Sequence, residues 1–109
     1  MLMVPVEFRK DAQINAAVRT VLQELSPMVK HIRFSIDQDW TSDWAIFFRV
    51  VLSDESTDLP RWLQITSRLM DRMMEELDLP NLGMMPHFNF RTESEQAELN
   101  DPDWAPLAA

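Results

Sequence analysis

Three aspartates and two tryptophans fall within one short stretch, Asp37-Gln38-Asp39-Trp40-Thr41-Ser42-Asp43-Trp44, just ahead of a mostly apolar run from Ala45 to Leu52. Oxygen-rich loops hold magnesium or calcium when their carboxylates converge, so Asp37, Asp39 and Asp43 are the metal-ligand candidates of this chain. The spacing is not that of an EF-hand, which needs a glycine at its sharp turn and a closing bidentate glutamate. The competing reading is a solvated acidic turn that doubles as a docking surface. Tryptophan in a polar loop is costly to leave in water. It either folds back over the sheet or anchors a partner, as aromatic residues do at binding hot spots. Asp37, Asp39, Trp40, Asp43 and Trp44 are therefore the partner-binding candidates.

His31 and His87 both fall at polar positions of alternating segments. With no cysteine in the chain and no serine placed as a nucleophile beside them, they read as structural histidines rather than as members of a triad. The lack of cysteine also removes disulfides and sulfur-ligated zinc. Gly83 is the one glycine, which excludes phosphate-cradling loops that need two or more.

The elements that must position these residues follow from periodicity. Ile14, Ala17, Val18, Val21, Leu22 and Leu25 recur at helical spacing behind a possible Asp11 cap and ahead of Pro27, predicting a first helix. Lys30 to Ile36 alternates like a strand with Ile32, Phe34 and Ile36 on the buried face, and Ala45 to Leu52 reads as a central strand. Pro60 opens a second helix that should run to about Leu79, with Trp62, Ile65, Leu69 and Met73 on its apolar face. After a turn at Asn81-Leu82-Gly83, His87 to Arg91 alternates as a third strand. The order α-β-β-α-β predicts an α+β domain: a small three-stranded mixed sheet with two packed helices, the last strand parallel because a whole helix precedes it.

One domain is expected over residues 1–92, followed by an acidic tail over 93–109 that carries Trp104 and Leu107 and has room for a helical turn near Glu95 to Leu99. Segments of that composition do not fold unaided, and Trp104 joins the partner-binding candidates because an isolated aromatic often orders on a partner. The formal charge of −8 lies in two blocks, residues 37–59 and 92–109, each of net −5. That balance disfavours direct binding to nucleic acid and favours a basic protein partner. No apolar run is long enough to span a bilayer, and the chain is expected in the cytoplasm. The methionines Met70, Met73 and Met74 supply either adaptable core or an apolar face for a homo-oligomer.

The stretch Ile32-Arg33-Phe34-Ser35, followed by Thr41-Ser42-Asp43-Trp44-Ala45-Ile46-Phe47-Phe48-Arg49-Val50-Val51, resembles the core of minimal nucleotidyltransferases. In that family a strand leads into a Gly-Ser turn, and Ser-Asp-x-Asp opens the next apolar strand. The similarity covers residues 11–92 in element order and some ten residues in words. Phe34 stands at the place of the turn glycine and Ala45 at the place of the second aspartate, so Asp43 is the one matching carboxylate. Two-metal phosphoryl transfer requires at least a pair. The resemblance thus implies a degenerate, non-catalytic member. Since such proteins are commonly encoded beside HEPN-domain proteins, many of them RNA-cleaving toxins, it implies an antitoxin that binds and occludes a basic HEPN partner. The alternative functions are a magnesium-dependent nucleotidyltransferase built on Asp37, Asp39 and Asp43, and a structural homo-oligomer held through Met70, Met73 and Met74.

Overall fold

A computed structural model describes residues 6–105 apart from Thr57. The elements run α1 (Val6–Leu25), β1 (Val29–Gln38), β2 (Trp44–Leu52), α2 (Leu59–Glu76), α3 (Leu79–Leu82), β3 (Met85–Thr92) and α4 (Glu93–Leu99), with short 3-10 turns at Asp54–Ser56 and Pro102–Trp104. Three strands form one sheet in the order β1-β2-β3. β1 and β2 pair antiparallel, and β2 and β3 pair parallel, as the helical crossover through α2 demands. The expected mixed sheet and the order α-β-β-α-β are both present.

Period-2 alternation divides the sheet into two faces. Ile32 pairs with Val50, Phe34 with Phe48 and Ile36 with Ile46; Phe48 and Val50 in turn pair with Phe88 and Phe90. These residues join the core beneath α1 and α2, where Ile14, Val21, Leu69 and Met73 are fully buried. Phe48 is the central piece, its ring 6.3 Å from Phe34 and stacked at 5.1 Å on Phe88. Two helices on one face of a three-stranded sheet leave the opposite face uncovered by either helix. That face carries His31, Arg33, Ser35 and Asp37 from β1, Phe47, Arg49 and Val51 from β2, and His87, Asn89 and Arg91 from β3.

Asp11 lies inside α1 rather than capping it. At the start of α2 the cap is Asp58, whose carboxylate accepts from the Arg61 amide at 3.1 Å, with Pro60 in the first turn. The two helices are tied by Arg72, whose guanidinium makes a two-pronged bond to Glu24 at 2.6 and 2.7 Å and also reaches Glu75 and Glu76. That guanidinium holds the Glu24 carboxyl below its ordinary range. The second helix stops at Glu76, short of the expected Leu79. A proline tolerates the first turn of a helix but not its interior, so Pro80 enters a new four-residue helix that opens at Leu79 and closes on Gly83 at φ +66°.

Within the acidic segment after Thr92, the helical turn expected near Glu95 to Leu99 is present as the seven-residue α4. Thr92 and Glu95 form a capping box, the Thr92 hydroxyl accepting from the Glu95 amide and the Glu95 carboxylate accepting from the Thr92 amide, and α4 follows directly from β3. Asp54 fixes it from outside, accepting from the Ser94 amide at 3.0 Å and its hydroxyl at 2.7 Å. Leu107 lies outside the described residues.

Candidate functional site

The acidic loop is a closed turn held by its own side chains. One oxygen of Asp39 accepts from the Thr41 amide at 2.8 Å, the Thr41 hydroxyl at 2.6 Å and the Asp43 amide at 3.2 Å. The backbone closes the turn twice more, Asp39 N–H to Asp43 O and Ser42 N–H to Asp39 O, with Ser42 in the left-handed region at φ +69°. The Thr41 hydroxyl, followed by the loop amides and the field of His87, holds the Asp39 carboxyl below its ordinary range. Asp37 accepts from the neighbouring Gln38 amide at 2.8 Å. Among the described residues no group of three or more histidine or acidic side chains is arranged to hold a metal ion, and Asp37, Asp39 and Asp43 do not form one. What the loop presents is a preorganised acidic turn.

Both loop tryptophans face solvent. Trp40 is 83% exposed and Trp44 58%, although Trp40 leans on His87 with ring centroids 5.6 Å apart. His87 is itself stacked on Phe47 at 5.1 Å, and its Nε2 is buried without a hydrogen-bond partner among the described residues. Trp44 stands between two shallow depressions. One, of about 490 Å³, runs along the free edge of β1 beside Asp11 and Asn15. The other, of about 650 Å³, is lined by Asp39, Asp43 and Met85.

Trp104, expected to reach out to a partner, is seated on its own sheet and only 7% exposed. The Arg91 guanidinium lies over its indole, 4.1 Å from the ring centroid. Its carbonyl accepts from His31 Nε2, and Arg33 donates to the carbonyls of Pro102 at 2.7 Å and Ala105 at 3.2 Å. Segment 101–105 is thus a strap across the end of the open face that carries His31, Val51 and Arg91. His31 is thereby engaged with the strap backbone. The sequence did contain a signal for the ordered segment, since Thr92 with Glu95 three residues on is a capping-box pattern. Nothing in composition announces that two arginines, Arg33 and Arg91, and a histidine wait on the sheet to receive it.

Of the three methionines considered for an oligomer, Met73 is wholly buried in the core and unavailable for contact. Met74 is 42% exposed and continues a stripe along α2 with Leu59 and Leu63, both more than half exposed. Thus the apolar arc of this helix is wider than its core contact requires.

No family model matches the sequence, and no curated protein matches it. Among solved structures the fold is similar to the metal-bound C-terminal domain of the CzcD transporter from Thermotoga maritima, with a TM-score of 0.50 and 17% identity over 84% of this chain and 93% of that one. At that identity the likeness is one of fold. Among the described residues no helix is long and apolar enough to cross a membrane.

Proposed function

We propose that this chain is a non-catalytic protein-binding module whose acidic loop, Asp37 to Trp44, docks on a basic protein and covers its working surface. The observation that carries the reading is the pairing of a closed turn with two exposed indoles: Trp40 and Trp44 project beside Asp37, Asp39 and Asp43 from a loop closed by hydrogen bonds among Asp39, Thr41, Ser42 and Asp43. A surface fixed in this way loses little conformational entropy on binding, and buried tryptophans supply most of the contact energy at such interfaces. The acids bring long-range attraction to a cationic partner and set the register of docking.

The resemblance of the loop and its strands to minimal nucleotidyltransferases supplies the kind of partner: a basic, RNA-acting HEPN-type protein encoded alongside, with this chain as its antitoxin. Ala45 at the place of a second metal ligand and the engagement of Asp39 within its own turn both weigh against the magnesium-dependent transferase alternative. The test is titration calorimetry of the purified chain with the protein encoded beside it. A stable complex should form, and reversing Asp37, Asp39 and Asp43 to lysine should weaken it at least tenfold, with a shallower salt dependence. Affinity unchanged by the reversals removes the loop from the interface.

A further inference from the structure

The open sheet face holds an arrangement that the monomer does not explain. Arg33 on β1 and Arg49 on β2 are direct cross-strand partners on this face. Like charges opposite one another destabilise a sheet unless a counter-charge is near. The chain carries 18 acids against 10 lysines and arginines, yet among the described residues neither guanidinium has a carboxylate within ion-pair distance. Arg49 donates to the Ser35 hydroxyl at 2.9 Å and Arg33 to the two strap carbonyls, so both are supported by neutral acceptors.

We infer that this face is self-complementary and that its occupant is the same face of a second copy of the chain. The register supplies the reason. Ser35, Phe47 and His87 form one row across the three strands, since Ser35 pairs with Phe47 and Phe47 with His87. The cationic row, Arg33 with Arg49, lies two residues to one side, and Asp37 lies two residues to the other, with the Asp39–Trp40 turn beyond it. A two-fold axis laid along the Ser35 row exchanges these sides. Asp37 of each copy then faces the arginine pair of the other, and the acidic turn of each meets the strap end of the other. Such an isologous contact is closed and makes each charge pair twice. The strap already shows what the cationic end accepts: Asp101 pairs with Arg91 at 3.5 Å, and Trp104 lies under the same guanidinium. Trp40 with Asp39 offers the same residue types from a second copy, and it is exposed to do so. A nucleic-acid strand is a poorer occupant, because a polyanion must approach a chain of net charge −8.

This inference rests on the acidic loop being a docking surface and makes self-association compete with the partner for it. The experiment is sedimentation velocity over a dilution series at about 50 and 500 mM salt, on the full chain and two charge-reversed variants, with circular dichroism to confirm that each is folded. The wild type should dimerise at low salt and dissociate at high salt. Arg33→Glu/Arg49→Glu should be monomeric, as should Asp37→Arg/Asp39→Arg, and an equimolar mixture of the two should dimerise again. If a reversed variant fails to fold, Arg49→Gln and Asp37→Asn should each weaken the dimer at least fivefold. A wild type monomeric at low salt, or a dimer indifferent to these changes, overturns the inference; the latter result would point to the Leu59–Leu63–Met74 stripe. The arginine variant keeps the loop intact and should still bind the basic partner, so loss of self-association alone leaves the proposed function standing.

Discussion

The Arg91 guanidinium covers the indole of Trp104 at 4.1 Å and, through the same Nη1, reaches Asp101 at 3.5 Å and the side-chain carbonyl of Gln96 at 3.0 Å. One β3 side chain therefore ties the end of α4, the turn after it and the buried tryptophan to the sheet. Truncating Trp104→Ala should cost about 3 kcal/mol, the low end for removal of a large buried aromatic. Hydrogen exchange should show lost protection over residues 93–105 while β2 stays protected.

Thr92 anchors the other end of α4. As half of a capping box, its replacement by alanine should cost about 1 kcal/mol in chemical denaturation, and Thr92→Ser should recover most of it.

The tie between Asp54 and Ser94 makes the docking of α4 sensitive to acid. Hydrogen bonds from the Ser94 amide, then from its hydroxyl, hold the Asp54 carboxyl below its ordinary value. A depressed carboxyl contributes stability above its unfolded pKa of about 3.9 and loses that contribution as pH falls through the lower folded value. Protection of the α4 amides, corrected for intrinsic exchange, should hold from neutral pH down to the ordinary carboxylate range and fall below it. Asp54→Asn should have weakened protection at neutral pH and little of this acid response.

The tryptophans divide by environment. Iodide or acrylamide should quench Trp40 and Trp44 strongly and Trp104 weakly, so Trp40→Phe/Trp44→Phe should lose most of the quenchable emission. The same emission tests the transferase alternative. With Asp39 engaged inside its own turn, addition of magnesium and a nucleoside triphosphate should leave the Trp40 and Trp44 signal unchanged. Saturable quenching requiring both ligands would contradict the non-catalytic reading.

Most of the sheet was legible in the sequence because its alternation is strong. Ile32, Phe34 and Ile36 fall on one face and His31, Arg33 and Ser35 do not, and the whole helix between β2 and β3 dictates a parallel pair. Boundaries were less legible: α2 stops early because Pro80 requires a new helix start, a conflict that the apolar spacing of Leu77 and Leu79 hides. The acidic loop was visible as a cluster of residue types, but its closure through Thr41 depends on backbone geometry that spacing does not encode. The strap was least legible. The strap is separated from its hydrogen-bond donors on β1, His31 and Arg33, by some seventy residues, and a segment with five acids and no base gives no local sign of the arginines that hold it.

The most direct measurement for the docking role of the loop is an amide and indole NMR footprint of the chain in complex with the basic protein encoded beside it. Expected are large shifts or broadening at the Trp40 and Trp44 indoles and at the amides of residues 37–44, with α2 little changed. A footprint confined to the exposed stripe of α2, leaving both loop indoles as they are in the free chain, would contradict it.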